Sequence, residues 1–495
     1  MTNTIDNTVY VAGRWQVGEG ESRTITNPST GEPFVAFRQA SPSQVDLAIT
    51  AARAGFDGDE WRKWTPLDRS EALTRMWKAI DERRAELAEL IIDSVGSTRS
   101  LTEALQVGGP VDTFRYFAEL AARGPAGGWE RPLPLHHDPV TTSSILVREP
   151  AGVVVALSPY NYPLHNLCWK IGGAIAAGCT LVAMPAPQAA PAVVKMFEVL
   201  ESAGLPAGVL NLVLGGPEQG EILTRDPRVD IVSFTGSVAV GAAVMAQAAS
   251  AVHKVILELG GKAANILLPG TDLGRDAILP SLFRFVRNAG QGCGATTRIL
   301  VHRNDYEGFV DAARPILEGF AVGDPRDPAT VVGPLVSAAH RERVEAYIDR
   351  AVQGGAKILA GGGRPDLPGF FLNPVLIGNT DNSKEICQEE LFGPVAAVLV
   401  YDTVDEAIEI ANSSRFGLNA NVVGRTSEAI EVARRLRVGT VTVNGGGGMR
   451  PDAPWGGIGE SGVGREMGED GLNEFFEVKH IQWPVDGVGK PQGLD

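Results

Sequence analysis

Cys293 stands in Asn288-Ala289-Gly290-Gln291-Gly292-Cys293-Gly294-Ala295-Thr296-Thr297-Arg298, where small residues on both sides leave the sulfur open and let a ligand come close. A thiol so placed can act as a nucleophile; an inert structural thiol is the competing reading. Glu258 ends an apolar run, Ile256-Leu257-Glu258-Leu259, ahead of Gly260-Gly261-Lys262. Burial would raise its pKa toward the range of a general base near neutral pH, with an ion pair to Lys262 or another cation as the alternative. Asn161 follows the run 153–157 through Ser158-Pro159-Tyr160 and offers an amide that can donate to a developing oxyanion. The three groups have complementary chemistry, and each falls at a predicted strand end.

The elements that must hold them can be read from the pattern. Apolar runs at 153–157, 181–184, 210–214, 231–234 and 255–259 alternate with helical stretches. This predicts a parallel sheet with helices on both faces and a nucleotide-sized ligand at the carboxyl ends of the strands. A second series from about 272 to 444, with strands at 298–302, 395–400 and 439–443, predicts a second α/β domain. Upstream, Leu73, Met76, Ile80, Leu87 and Leu90 recur at helical spacing and predict one long helix over 67–95 behind Pro66. Residues 123–150 are rich in Gly and Pro and carry a strand at 141–147, which reads as an arm leaving the globule or as a plain surface loop.

Two glycine motifs bear on phosphate binding. Gly457-Ile458-Gly459-Glu460-Ser461-Gly462 matches the dinucleotide fingerprint, but it follows a Pro-Trp loop and opens no apolar helix, so a loop closing near the site is the better reading. Phe234-Thr235-Gly236-Ser237 follows a strand and opens the helical run 238–250, a junction that aims backbone N–H groups at an anion.

The chain has 495 residues, with 44% apolar and 21% charged, which excludes a disordered or membrane-embedded protein. Its net charge of −15 argues against general affinity for nucleic acid or anionic membrane. Cys168, Cys179, Cys293 and Cys387 form no CxxC pair, so no metal site or disulfide framework is indicated. A polar Met1 to Asn7 leads to the expectation of a cytoplasmic protein.

The sequence resembles the aldehyde dehydrogenase superfamily nearly end to end, through Gly13-Arg14-Trp15, Pro159-Tyr160-Asn161-Tyr162-Pro163, Phe234-Thr235-Gly236-Ser237, Glu258-Leu259-Gly260-Gly261-Lys262, Gly290-Gln291-Gly292-Cys293, Glu390-Leu391-Phe392-Gly393-Pro394 and Pro454-Trp455-Gly456-Gly457. The resemblance implies an α/β subunit with a Rossmann-like cofactor domain from 1–126 and 150–261, a catalytic domain from 262–460, and oligomerisation segments at 127–149 and 461–495. It implies oxidation of an aldehyde to the acid with NAD, or NADP, through a thiohemiacetal and a thioacyl enzyme in a homodimer or homotetramer. Cys293 is then the nucleophile, Asn161 with the Cys293 N–H the oxyanion hole, and Glu258 the base for the deacylating water. Lys170 and Glu466 match a proton path, or form ordinary helix-surface salt bridges.

The matching cofactor positions are Leu157, Ser158, Pro159, Tyr160, Met184, Gly216, Gly220, Phe234, Gly236, Ser237, Val240, Leu259, His340, Glu390 and Phe392. Where the family has Lys-Pro-x-Glu gripping the adenosine ribose, this chain has Met184-Pro185-Ala186-Pro187, which lowers expected affinity and selectivity while leaving NAD favoured. Tyr162, Trp169 and Trp455 match positions lining the aldehyde channel, with His165 and Asn166 on the same helix face, either contacting substrate or facing solvent at the mouth. A CoA-acylating enzyme of the same fold and a scaffold that has lost turnover are the rivals. Glu258 counts against the first, and the intact Cys293, Asn161, Glu258 and Glu390 against the second.

Overall fold

The computed structural model describes residues 3–124, 129–445 and 449–485. Positions 125–128 and 486–495, which include the start of the expected arm and the end of the C-terminal segment, lie outside the described residues.

Five strands, Lys254–Glu258, Ile231–Thr235, Val153–Ser158, Thr180–Pro185 and Leu210–Val213, run parallel in that spatial order. The last four are almost wholly buried and Lys254–Glu258 is buried over its last three residues, which is why the strands read in sequence as apolar runs. Antiparallel strands Asn7–Val11 and Arg14–Val17 extend one edge, and Gly462–Val463 pairs antiparallel with Lys254–Glu258 at the other.

A second sheet has seven strands in the order Lys357–Gly361, Val375–Gly378, Val395–Tyr401, Arg298–His302, Ala264–Leu267, Asn419–Val423 and Thr440–Val443. All pair in parallel except the first. The sequence pattern finds three of these strands and misses the other four, each of four or five residues. In two of the missed strands buried asparagines, Asn265, Asn419 and Asn421, interrupt the apolar run.

The expected helix over 67–95 is two helices, Pro66–Glu82 and Arg84–Val95. The chain breaks at Arg83 (φ −108°, ψ 16°), while the apolar face, with Leu73, Met76, Ile80 and Leu87, continues across the break into one core. Residues Thr141–Pro150 form the middle strand of a separate antiparallel sheet, between Glu130–His137 and Phe476–Pro484. No helix among the described residues is long and apolar enough to cross a membrane.

The second sheet is locked to its loops by Arg298, which is fully buried. Its guanidinium donates to the carbonyls of Lys262 (2.9 Å), Ile410 (2.9 Å) and Ala411 (2.9 Å) and to Asn382 Oδ1 (3.0 Å). Burial pulls its pKa down to about 10, still high enough to keep it charged at neutral pH. Arg298→Leu leaves the carbonyls of Lys262 and Ala411 buried without this donor and is expected to cost about 3 kcal/mol or more. The thermal midpoint in differential scanning calorimetry should then fall by about 5 °C or more, and an unchanged midpoint would remove Arg298 as a structural tie.

Candidate active site

Glu258 is the last residue of its strand, and both carboxylate oxygens are buried without a hydrogen-bond partner. Burial, then the nearby charge of Glu466, pushes its pKa well above the ordinary carboxylate value, against a smaller pull from Lys170 and Arg465. It makes no ion pair with Lys262, whose own ammonium is buried and pushed down to about 8. The turn at Gly456 crosses directly over the carboxylate, since a Cβ there would stand 2.8 Å from Glu258 Oε1.

The fingerprint-like glycines complete this wall. Gly462 pairs with Glu258, and Ser461 Oγ donates to the Gly260 carbonyl at 2.7 Å. The segment is an edge strand and turn that opens no helix.

Beneath Glu258 lies a charged cluster with almost no exposure. Lys170 Nζ is 2.5 Å from Glu466 Oε1 and 2.9 Å from Ser233 Oγ, with side-chain exposures of 0% for Lys170 and 1% for Glu466. This corrects the helix-surface salt-bridge reading of Lys170 and Glu466. Helix Pro163–Ala177, which carries Lys170, is buried along its whole length, so periodicity alone did not show which neighbours cover it.

Cys293 comes from the other sheet's side. After helix Arg275–Val286, three consecutive residues, Asn288 (φ 55°), Ala289 (φ 52°) and Gly290 (φ 74°), take left-handed conformations. Two of them are not glycine, a strain that needs outside contacts to hold it. Asn288 Nδ2 donates to the carbonyls of Asn161 (3.0 Å) and Gln291 (3.2 Å). Gln291 Oε1 accepts from Val336 N (2.9 Å) and the Tyr160 hydroxyl (3.2 Å). Gly290 has no room for a Cβ, which would sit 2.1 Å from the Gly393 carbonyl oxygen.

Gly292 faces the Tyr162 hydroxyl and Gly294 faces the Trp455 ring. Asn161 Nδ2 donates to the Gln291 carbonyl at 2.9 Å, which ties the amide to the cysteine loop and leaves its second N–H free of protein partners. The Cys293 thiol is only partly covered, unlike the buried Cys168, Cys179 and Cys387. Burial, then the charges of Glu390 and Glu258, raises its pKa to about 12, so at rest it is a protonated thiol.

The candidate cofactor residues follow the carboxyl ends of the first sheet. Leu157 and Ser158 end one strand, with the Ser158 hydroxyl buried and unpartnered, and Pro159 and Tyr160 follow it. Ser237 caps helix Val238–Ala248, whose first turn carries the exposed Val240, and Gly236 lies flat against the Phe234 ring, where a Cβ would be 2.4 Å from it. Leu259 packs on Gly241 in the same helix.

Met184 lies over the glycine loop, its Sδ 3.0 Å and Cε 3.2 Å from where Cβ atoms at Gly215 and Gly220 would stand. Glu390 Oε1 accepts from Gly261 N at 3.0 Å, and burial lifts this carboxyl to about 7. Phe392 has a positive φ of 61°, and His340 Nε2 donates to its carbonyl at 2.7 Å, with the Tyr160 ring edge-on at 6.2 Å.

A cavity of about 510 Å³ opens beside these elements, lined by His165, Leu105, Phe283, Arg287, Met449 and Met467 among others. Of the five sequence-based substrate residues only His165 lines it; Tyr162 and Trp455 flank the cysteine loop, and Trp169 stacks edge-on behind His165 at 4.8 Å. His165 and Asn166 are both buried, which rules out the reading that they face solvent. Both ring nitrogens of His165 lack partners, and burial together with the Arg287 charge holds its pKa down to about 3, so the ring is neutral. Its Nδ1 occupies the space a side chain at Gly109 would need.

Arg287 and Gln291 escaped the sequence reading. Arg287 directly precedes the cysteine segment, and only the fold turns its charge toward His165.

The chain matches the model of the "Aldehyde dehydrogenase family" over residues 15–481. It is 37% identical to the betaine aldehyde dehydrogenase of Bacillus subtilis over 96% of this chain and 97% of that protein. It is 36% identical to the geranial dehydrogenase of Castellaniella defragrans over 97% and 99%. A crystal structure of a mutant of aldehyde dehydrogenase C from Pseudomonas syringae, complexed with NAD+ and octanal, superposes with a TM-score of 0.91 at 37% identity and 96% coverage of each chain. On sequence, length and fold, the chain belongs to the aldehyde dehydrogenase family.

Proposed function

We propose that this chain oxidises an aldehyde to its carboxylic acid with NAD, using Cys293 as nucleophile, Asn161 and the Cys293 N–H as oxyanion donors, and Glu258 as base. The observation that carries this reading is a pair of groups kept uncharged by burial, the Cys293 thiol and the Glu258 carboxyl, with the Glu258 charge adding to the rise in the thiol's proton affinity. The sulfur adds to the aldehyde carbon as its proton passes to water, and the free N–H of Asn161 meets the oxygen that becomes negative. Glu258, once ionised, takes a proton from water that attacks the thioester; the C–S bond breaks, the acid departs and the thiol is restored. The buried Lys170–Glu466 pair favours the ionised base by its lysine and opposes it by its glutamate, and we assign it to the proton path from Glu258. This base suits hydrolysis better than transfer to CoA.

The residues present fit a dinucleotide. Ser237 caps a helix N-terminus, Gly236 and Gly216 leave room for close approach, the Ser158 hydroxyl is buried without a partner, and Glu390 presents a carboxyl group. Leu157, Pro159, Tyr160, Phe234, Val240, Leu259 and Gly220 shape the same groove, with His340 holding Phe392. When bound, NAD+ accepts a hydride from the carbon attached to sulfur.

Mostly apolar walls with His165 and Arg287 suit an aldehyde with an apolar body and a hydrogen-bonding group. The cofactor domain at 1–126 and 150–261, the catalytic domain at 262–460 and oligomerisation through 127–149 and 461–495 remain our division of the chain. Four unpaired thiols favour a reducing compartment such as the cytoplasm.

With a panel of aldehydes, Cys293→Ala should abolish NAD reduction, whereas Cys168→Ala, Cys179→Ala and Cys387→Ala should keep most of it. Near wild-type turnover by Cys293→Ala would end the covalent mechanism.

Glu258→Gln should give a burst of NADH followed by turnover slowed about 100-fold or more, with the thioacyl adduct visible by mass spectrometry. A carboxylate with a raised pKa is an active base only above that pKa, so wild-type deacylation should climb as pH rises and the glutamine variant should lose the climb. A variant with the same pH profile as wild type would remove Glu258 from the base role.

The strand Phe476–Pro484 exposes Val478, Ile481 and Trp483 on one edge of its three-stranded sheet, and such an edge is costly unless paired. Truncation after Glu477 should lower the mass of a homodimer or homotetramer in light scattering. A monomeric intact protein would refute the assembly.

A further inference from the structure

In a doubly wound sheet the carboxyl end of the second strand is where the protein reads the 2′ substituent of the adenosine ribose, by an acid for a hydroxyl or an arginine for a phosphate. Here that strand is Thr180–Pro185, and its end, Met184-Pro185-Ala186-Pro187, offers neither. The cation comes from another element. The edge strand Ser22–Thr26 lies against the turn Pro187–Ala189, and its Arg23 reaches across to the glycine loop beyond Met184. The open space beside Gly216, where a Cβ would stand, is bounded by Arg23 Nη2 at 3.7 Å and Gln39 Nε2 at 3.4 Å.

Both groups are uncommitted. Arg23 is exposed, and no ion pair or hydrogen bond of its side chain occurs among the described residues. Gln39 is 3% exposed, and its Nε2 is buried with no hydrogen-bond partner, a costly state unless something arrives to accept from it. No acidic side chain stands at Met184 to Pro187 to repel an anion.

We propose that Arg23, with Gln39 beside it, binds the 2′-phosphate of the dinucleotide, so that the enzyme takes NADP as well as NAD. The assignment rests on the dinucleotide site argued above and names the residue that sets its selectivity. A guanidinium forks two parallel N–H donors onto phosphate oxygens, which Met184 cannot do through its thioether. The binding is to a charged end group and leaves the hydride chemistry at the other end of the cofactor untouched.

Isothermal titration of the intact enzyme with 2′,5′-ADP and with 5′-AMP isolates this contact from turnover. Wild type should bind 2′,5′-ADP about tenfold or more tightly than 5′-AMP at low salt, with the preference shrinking as salt rises. Arg23→Ala should bring the two ligands within about twofold, and Arg23→Lys should keep part of the preference, since a lysine retains the charge without the fork. Retained 5′-AMP binding shows that the site of each variant is folded. Equal binding of both ligands by wild type, or a preference that survives Arg23→Ala, overturns the assignment while NAD reduction with aldehydes leaves the proposed function standing. Failure of wild type to bind NAD or NADP at all overturns both.

Discussion

A carboxylate held out of water with no hydrogen bond is the constraint around which the site is organised. Removing a charge from water costs several kcal/mol unless it is paired, so Glu258 rests in its neutral form and becomes a base only when its surroundings allow it to ionise. The Gly456 turn, the Gly462 edge strand and the Ser461 hydroxyl close the space over and beside it. The Lys170–Glu466 pair below it is itself fully buried; Ser233 Oγ accepts from Lys170 and donates to Glu466 Oε1, while Glu466 Oε2 has no hydrogen-bond partner. Of this pair the glutamate raises the proton affinity of Glu258 and the lysine lowers it by a smaller amount.

The second requirement is to bring a thiol from one sheet to a base from another. The chain does this by bending the backbone ahead of Cys293 through three left-handed residues and pinning the bend with Asn288 and Gln291. The same hydrogen bonds tie Asn161 to the cysteine loop, so the proposed nucleophile and its proposed amide donor share one support. Glu390 makes a parallel link across the two sheets, from the strained turn before Phe392 to the N–H of Gly261. Strain of this kind persists where contacts over-determine it, which is the condition of a site that must not move during chemistry.

Much of this could be read from residue order. Strands buried on both faces appear as continuous apolar runs, so the five parallel strands of the first sheet and the ends carrying Asn161 and Glu258 were legible. The break at Arg83 was not, because one apolar face passes through it and periodicity reports the face, not the local backbone. Strands such as Ala264–Leu267 and Asn419–Val423 were hidden because buried asparagines, Asn265, Asn419 and Asn421, interrupt their apolar runs.

The sequence by itself determined which chemical groups stand at the ends of which strands: a thiol between glycines, an acid after apolar residues, an amide after a strand, and no charged group at Met184 or Pro187. Only the tertiary structure decided their protonation and their partners. Lys170 and Glu466 are 296 positions apart and read as surface residues until folding buries them together. His165 becomes a neutral buried ring for the same reason, beside an arginine 122 positions away in the chain. Desolvation and Coulomb interaction depend on distances in space, and those are set by which helix and loop finally cover each strand end.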